Sequence, residues 1–403
     1  MSARAVALSL FLVAALACAA AAARAADTID ARAARVLARL TLEQKVGQLF
    51  MVGGEWRRPG AERQIARYHF GNAYLGRDDV SSSTPEQVAR LTNRLQGLAL
   101  KADAGVPLLI ATDQEGGEVN RLKAGFVTFP SQRAMGVKGA ERVRRAARVT
   151  AAELRAVGVQ VNFAPVADLA QNPAGPLEFR GRLYSRSPSE VAELAEAAVE
   201  GYADGGVIAC VKHFPSYGAA AQDAHDALPL DPAPKDVLMR TSVYPFAELI
   251  RREHLRMVMT GHIRVPALDR GPGASASLSK GVVDGFLRGE LGFGGVAVTD
   301  GLNMKALGAE SEQGRNAVAA VAAGNDILLS SGHASGNIAA YEALLAAFRD
   351  GRLPMSRLDQ AVLRVLTLKL AAVPFARPQV DLSALPGKVD TAEQRAFLKS
   401  LAR

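Results

Sequence analysis

The run VIACVKHFPSYGAAAQDAH, Val207 to His225, decides how the chain is read. It opens as an apolar, β-branched segment of the kind that makes a strand buried on both faces. It then stops on Lys212 and His213, passes Pro215 and Gly218, and crosses a small-residue loop, Ala219 to Ala221. The loop delivers Asp223 and His225, two residues apart. Taken singly, Lys212 could be a solvated strand end and His225 a surface histidine. Two ionisable clusters on one strand-to-helix connection point instead to an active site, because in parallel α/β folds these connections build it.

Seven other apolar runs share the character of GVIACVKH (206–213). They are LFMVG (49–53), NAYL (72–75), VPLLIATD (106–113), VQVNFAPVAD (159–168), RMVMTGHI (256–263), GVAVTD (295–300) and NDILLSS (325–331). Helices with readable starts lie between them. Thr41-Leu-Glu-Gln44 is a capping box. Thr84-Pro85-Glu86-Gln87 and Ser187-Pro188-Ser189-Glu190 each combine an N-cap, a proline at the first helical position and a capping-box partner. After the second, Val191, Leu194, Ala195, Ala198, Val199 and Tyr202 form one apolar stripe. A last helix at about 356–372 carries Leu358, Val362, Val365, Leu366 and Leu370.

Eight continuously apolar strands alternating with helices predict an α/β fold, a (β/α)8 or TIM barrel, as a single domain over 26–376. A doubly wound sheet is the alternative, weakened by the lack of a G-x-G-x-x-G after the first strand. Residues 377–403, with Pro378, Pro386, mixed charges and a helical pattern from Thr391, read as a tail wrapping the barrel.

Composition narrows the function classes. The 403 residues are 49% hydrophobic and 22% charged, which suits a large core. The pI near 9.6 is partly due to the leader. Without Arg4 and Arg24 the formal charge is +6, scattered and with no Lys/Arg block, so no nucleic-acid footprint is expected. Residues 1–25 read as a signal peptide. Arg4 supplies the positive start, Val6 to Ala17 the apolar core and Ala23-Arg24-Ala25 the cleavage site. A secreted or periplasmic location follows, with no stable membrane insertion. Cys18 after Ala15-Leu16-Ala17 is a poor lipoprotein box, and lipidation there is the alternative. Cys210 is then the lone cysteine of the mature chain, a small core residue rather than a nucleophile.

The barrel reading demands that chemistry collect at strand carboxyl ends. Strand three ends in Asp113, with Glu115 and Arg121 just beyond; strand four ends in Asp168, five in Lys212-His213, six in His262 and seven in Asp300. Asp168 and Glu115 could equally brace loops. Two chemistries fit. An ionised Asp300 attacks an electrophilic carbon while the Asp223–His225 pair shuttles a proton, or Lys212 forms a Schiff base in a dry barrel. Metal-assisted hydrolysis is weaker, because no two histidines sit at ligand spacing in one element. No G-x-S-x-G elbow is present.

The segments DQEGGEVNR (113–121), NFAPVAD (162–168), KHFPSYG (212–218), MTGHI (259–263) and VTDGLNM (298–304) resemble glycoside hydrolase family 3. Within it they are similar to the single-domain bacterial β-N-acetylglucosaminidases of the NagZ type, from roughly Leu40 to Val373. The resemblance implies a TIM barrel in which Asp300 is the nucleophile and Asp223-Ala224-His225 the D-x-H acid/base pair on a mobile loop. It also implies that Asp113, Arg121, Arg182, Lys212 and His213 hold the sugar. The implied activity is a retaining exo-β-N-acetylglucosaminidase removing terminal GlcNAc, from peptidoglycan fragments, with a carbohydrate as its partner and no metal or organic cofactor.

Three departures stand out. Where the family commonly reads K-H-F-P-G-H-G-D-T, this chain has Ser216-Tyr217-Gly218-Ala219-Ala220; Glu118 replaces the usual Arg after D-Q-E-G-G; and G-R-S-F becomes Gly181-Arg182-Leu183-Tyr184. Rival expectations are a β-glucosidase or glycoside phosphorylase on the same barrel, and an inactive glycan-binding homologue.

Overall fold

All eight apolar runs become strands. In the computed structural model, which describes residues 28–53, 55–102, 105–269 and 274–402, they are β1 (Phe50–Gly53), β2 (Asn72–Leu75), β3 (Leu109–Thr112), β4 (Val161–Asn162), β5 (Ile208–Phe214), β6 (Met257–Thr260), β7 (Val296–Thr299) and β8 (Leu328–Ser330). Each pairs in parallel with its sequence neighbour, and β8 pairs with β1. The bridge between Val298 and Ile327 joins β7 to β8 and closes the barrel. The leader, with Arg4, Cys18 and the Ala23-Arg24-Ala25 site, lies outside the described residues.

The continuous apolarity has a direct cause. Alternate strand residues point to opposite faces. Met51, Leu109, Ala111, Val161, Ile208, Cys210, Met257, Met259, Val296 and Val298 fill the barrel interior. Their neighbours Phe50, Val52, Ile110, Val211, Val258 and Ala297 pack outward against the helices. Both sets are buried, so no polar face interrupts the strand. Cys210 belongs to the interior, and burial pushes its thiol up from the ordinary value, which leaves it unreactive.

The strands are shorter than the apolar runs. The run at 159–168 keeps regular strand geometry only at Val161–Asn162, because Pro165 has no N–H for the ladder. Beyond it the chain still touches β5, through the Lys212 N–H to the Pro165 carbonyl and the Ala167 N–H to the Lys212 carbonyl. The third strand likewise starts only after Pro107.

The capping boxes at Thr41 and Thr84 form with both legs, to Gln44 and Gln87. The one expected at Ser187 forms by half. Ser187 Oγ accepts the Glu190 N–H, but the Glu190 carboxylate turns to the Ser185 hydroxyl. The Ser187 N–H is already bonded to Ser185 Oγ, so the returning leg has no donor left. The stripe from Val191 to Tyr202 is buried, and the helix Met355–Ala372 buries Leu358, Val362, Val365 and Leu366 with Leu370 half-buried. Among the described residues no helix is long and apolar enough to cross a membrane.

Past this helix the chain runs along the barrel flank to a short helix, Ala392–Ser400. Val380 exchanges two backbone hydrogen bonds with the Asn93 side chain (2.7 and 2.9 Å). Phe397 packs against Phe129 under the Arg145 guanidinium. Glu153, on the helix Ala140–Ala156, accepts the N–H groups of Val127 and Asp390 at 3.0 and 2.8 Å. Burial pushes the Glu153 carboxyl from 4.5 up to about 7. The folded state therefore holds its proton more tightly than the unfolded chain. That stabilisation is complete below the unfolded value and is lost as pH rises through the folded one. Between about pH 5 and about pH 8 the melting temperature of the wild type should fall relative to that of Glu153→Gln. Parallel profiles by calorimetry would show that Glu153 does not titrate this way.

Candidate active site

The mouth at the carboxyl ends of the strands is built first from β3. Asp113 follows the strand directly. A two-stranded hairpin, Gln114–Gly116 with Val119–Asn120, then carries Glu115 and brings Arg121 back, its N–H bonding the Asp113 carbonyl at 3.1 Å. The turn needs glycine: Gly116 has φ +98°, and a Cβ there would lie 2.4 Å from the Pro130 carbonyl oxygen.

Lys212, on β5, is buried between two carboxylates. Its Nζ lies 2.6 Å from Asp113 Oδ1 and 2.7 Å from Glu115 Oε1. Arg182, on the loop after β4, grips Glu115 with two bonds of 2.7 and 2.8 Å. The Tyr74 hydroxyl donates to Asp113 Oδ2 at 2.6 Å, and Arg121 approaches the same oxygen at 3.3 Å. Burial alone would raise both carboxyl groups, but Lys212 and Arg121 hold Asp113, and Arg182 and Lys212 hold Glu115, below their ordinary values. Burial would lower Lys212, and the two carboxylates more than offset it, so it stays an ammonium. A Schiff base requires the neutral amine, which disfavours the aldolase chemistry.

His213 bonds Asp168 Oδ2 through Nδ1 at 2.7 Å, leaving Nε2 to face the cavity. Asp168 is fully buried, and its other oxygen takes the Tyr217 N–H at 2.6 Å. It braces the β5 connection and does not reach the cavity. His262 is a brace as well, bonded through Nδ1 to Ser277 Oγ at 2.8 Å and through Nε2 to the Gly301 carbonyl at 2.9 Å.

Asp300 follows β7. Its Oδ1 accepts the Gly301 N–H at 2.8 Å and its Oδ2 accepts the Tyr217 hydroxyl at 3.2 Å. Burial would raise its pKa, but His213 and His262, the Gly301 N–H and Lys212 bring it below the ordinary value. On the loop after β5, Asp223 Oδ1 accepts both the backbone N–H (3.0 Å) and Nδ1 (2.7 Å) of His225. The His225 side chain is 68% exposed, and Asp223 Oδ2 lies 3.8 Å from the Arg180 guanidinium.

Asp113, Arg121, Arg182, Lys212, His213, Asp223, His225 and Asp300 all line one cavity of about 620 Å³. Phe163, Met259 and Leu329 from the barrel interior give it apolar surface. Three cavity residues escape a sequence reading. Tyr74 is signalled only by its inward register on β2; Tyr217 and Arg180 sit on irregular connections with no register at all. Among the described residues the one convergence of possible metal donors, Glu196, Glu200 and His254, is away from the cavity. Its carboxylates are paired with Arg252 and Arg144.

A closed parallel barrel with an ionised carboxylate, an Asp–His pair and a cage of buried, paired charges at one mouth defines a (β/α)8 protein of the glycosidase type. Residues 41–368 match the glycosyl hydrolase family 3 N-terminal domain, and the chain belongs to that family. Among solved structures it is similar to a family 3 β-N-acetylglucosaminidase from Paenibacillus sp. str. FPU-7. The TM-score is 0.84 and the identity 40%, over 90% of this chain and 68% of that one. Among curated proteins it is 34% identical to β-hexosaminidase A of Pseudoalteromonas piscicida over 66% of its own length, and spans 49% of that relative. It is 33% identical to the β-hexosaminidase of Pseudomonas aeruginosa over 77% of its length and 88% of the relative's.

Because Lys212 is the shared partner of two buried carboxylates, Lys212→Met should destabilise the fold by about 3–5 kcal/mol in chemical denaturation. A loss under about 1 kcal/mol, the size of a surface pair, would mean that the cage is solvated and does not hold the mouth together.

Proposed function

We propose that the protein is a retaining exo-β-N-acetylglucosaminidase that hydrolyses terminal β-GlcNAc through a covalent glycosyl-aspartate. The observation that carries this is the meeting of Asp300 and the Asp223–His225 pair on one cavity whose inner wall is the Asp113–Lys212–Glu115 cage. Asp113 accepts from sugar hydroxyls, while Arg121, Arg182 and Lys212 donate. Asp300 attacks the anomeric carbon as His225 protonates the leaving oxygen. Water, deprotonated by the same imidazole, then releases the sugar. Asp223, bonded to Nδ1, fixes the tautomer of the imidazole. The names borne by the relatives support GlcNAc as the sugar. The positive charge and the leader support a periplasmic peptidoglycan fragment as its source.

Two variants test the roles. Asp300→Asn keeps the shape without the anion, so turnover of 4-nitrophenyl GlcNAc should fall to background. A 5-fluoro-GlcNAc donor should label the wild type at Asp300. Labelling at Asp168 or Glu115 would sink the assignment. In His225→Ala, nitrophenolate still leaves unaided, but the second step lacks its base and should slow by roughly 10²–10⁴-fold. Glycosyl-enzyme should accumulate, and azide should accelerate turnover with a β-glycosyl azide as product. Equal loss on aryl and disaccharide substrates, with no azide effect, would make His225 structural. Turnover independent of phosphate separates hydrolysis from phosphorolysis.

Export should leave Ala26 as the mature N-terminus. Intact mass from a bacterial host checks this, and a diacylglyceryl mass starting at Cys18 would assign a lipoprotein instead.

A further inference from the structure

The connection after β5 departs from the family at Tyr217, where a histidine is common, and the departure puts a phenol on Asp300. Every group around that hydroxyl is fixed by buried structure. Tyr217 is 8% exposed, its N–H is tied to Asp168 Oδ1 at 2.6 Å, and its ring lies 4.8 Å from the His213 ring. The hydroxyl oxygen accepts the backbone N–H of His262, whose imidazole is locked at both nitrogens. The phenolic proton is therefore left for Asp300 Oδ2, 3.2 Å away. Burial, then the Asp300 and Asp168 charges, push the phenol well above its ordinary value, so that proton is not lost in the working pH range.

We propose that Tyr217 is a positioning residue for the nucleophile, a neutral donor that holds Asp300 Oδ2 and assists its departure from the glycosyl intermediate. The proposal rests on the reading of Asp300 as nucleophile. In the first step a bond forms between Asp300 and the anomeric carbon, the bond to the aglycone oxygen breaks, and the His225 proton goes to that oxygen. In the second, water bonds to the anomeric carbon and gives its proton to His225. The bond to Asp300 breaks, and its electron pair returns to the carboxylate. Tyr217 keeps its proton throughout. Its hydrogen bond is weak to the neutral ester and strong to the returning anion, so it favours the second step over the first.

The test is the rate of labelling and of reactivation with the 5-fluoro-GlcNAc donor, together with the pH profile of kcat/KM. In Tyr217→Phe, reactivation should slow about tenfold and labelling should change less. The acidic limb should move to higher pH, because the carboxylate has lost a donor. Phenylalanine also strips the His262 N–H of its partner, so 3,5-difluorotyrosine at position 217 is the second variant. It keeps the shape and donates more strongly, and it should speed reactivation and move the acidic limb to lower pH. A label on Asp300 with unchanged rates and an unchanged limb in the variant that folds overturns the proposal alone. A wild-type label on another residue overturns the nucleophile assignment and this proposal with it.

Discussion

A lysine ammonium buried out of water is tolerable only where anions replace its hydration, and the mouth of this barrel is arranged around that requirement. Asp113 and Glu115 both contact Lys212 Nζ, and each is itself buried, so each needs a further cation. Arg121 meets the first need and Arg182 the second, while Tyr74 shares Asp113 Oδ2 with Arg121. The chain of necessity runs from β2 through β3, its hairpin and the loop after β4 to β5. Each connection is held because letting it go would strand a charge. The same donors and acceptors line the cavity, so in the proposed reaction a sugar ring would replace water against a wall that is already polar and already held in place.

Opposite chemistry goes with opposite burial. Asp300 is fixed by the Gly301 N–H and Tyr217, and His213 by Asp168; all of these partners are backbone groups or buried side chains. The His225 imidazole is mostly in solvent, with Asp223 as its hydrogen-bonded partner. In the proposed reaction this division is sensible. The attacking oxygen must meet one carbon along one line, whereas the acid/base must serve a departing sugar and then an arriving water at the open end of the cavity.

The barrel was legible because burial on both faces leaves a mark that needs no partner to read: alternate residues Met51, Leu109 and Ala111 point inward while Phe50, Val52 and Ile110 point out, and both sets are apolar. What blurred the edges was backbone chemistry, as at Pro165, and competition between nearby hydroxyls, as at Ser185 and Ser187. Asp113, Lys212, His213 and Asp300 were legible because ionisable groups at strand carboxyl ends converge whatever lies between them, and Asp223 and His225 because they follow one such end; Arg182 came from the family resemblance alone. The distinction between a group that faces the cavity and one that props it was not. Asp113 and Asp168 end neighbouring apolar runs with the same residue type, yet Asp168 spends its oxygens on His213 and Tyr217. Only the path of the connection after β5 decides that, and the path depends on contacts remote in sequence.

That path also explains how the loop tolerates Ala219 and Ala220 where polar residues are usual. Its root is held through its own backbone groups. The Gly218 carbonyl accepts the N–H groups of Gln171 and Asn172 at 3.3 and 3.1 Å, and the Ala220 N–H returns to the Tyr217 carbonyl at 2.9 Å. The approach is close enough that a Cβ on Gly218 would sit 1.7 Å from the Leu169 carbonyl oxygen, so the glycine is required. Asn172 Nδ2 adds a bond to the Ala220 carbonyl. With four backbone groups fixed this way, the side chains at 219 and 220 have no anchoring left to do. The root stays docked on the β4 connection, and beyond it the segment that carries Asp223 and His225 is tied to the connection after β7 by the Ala306 N–H, which donates to the Ala224 carbonyl at 3.1 Å.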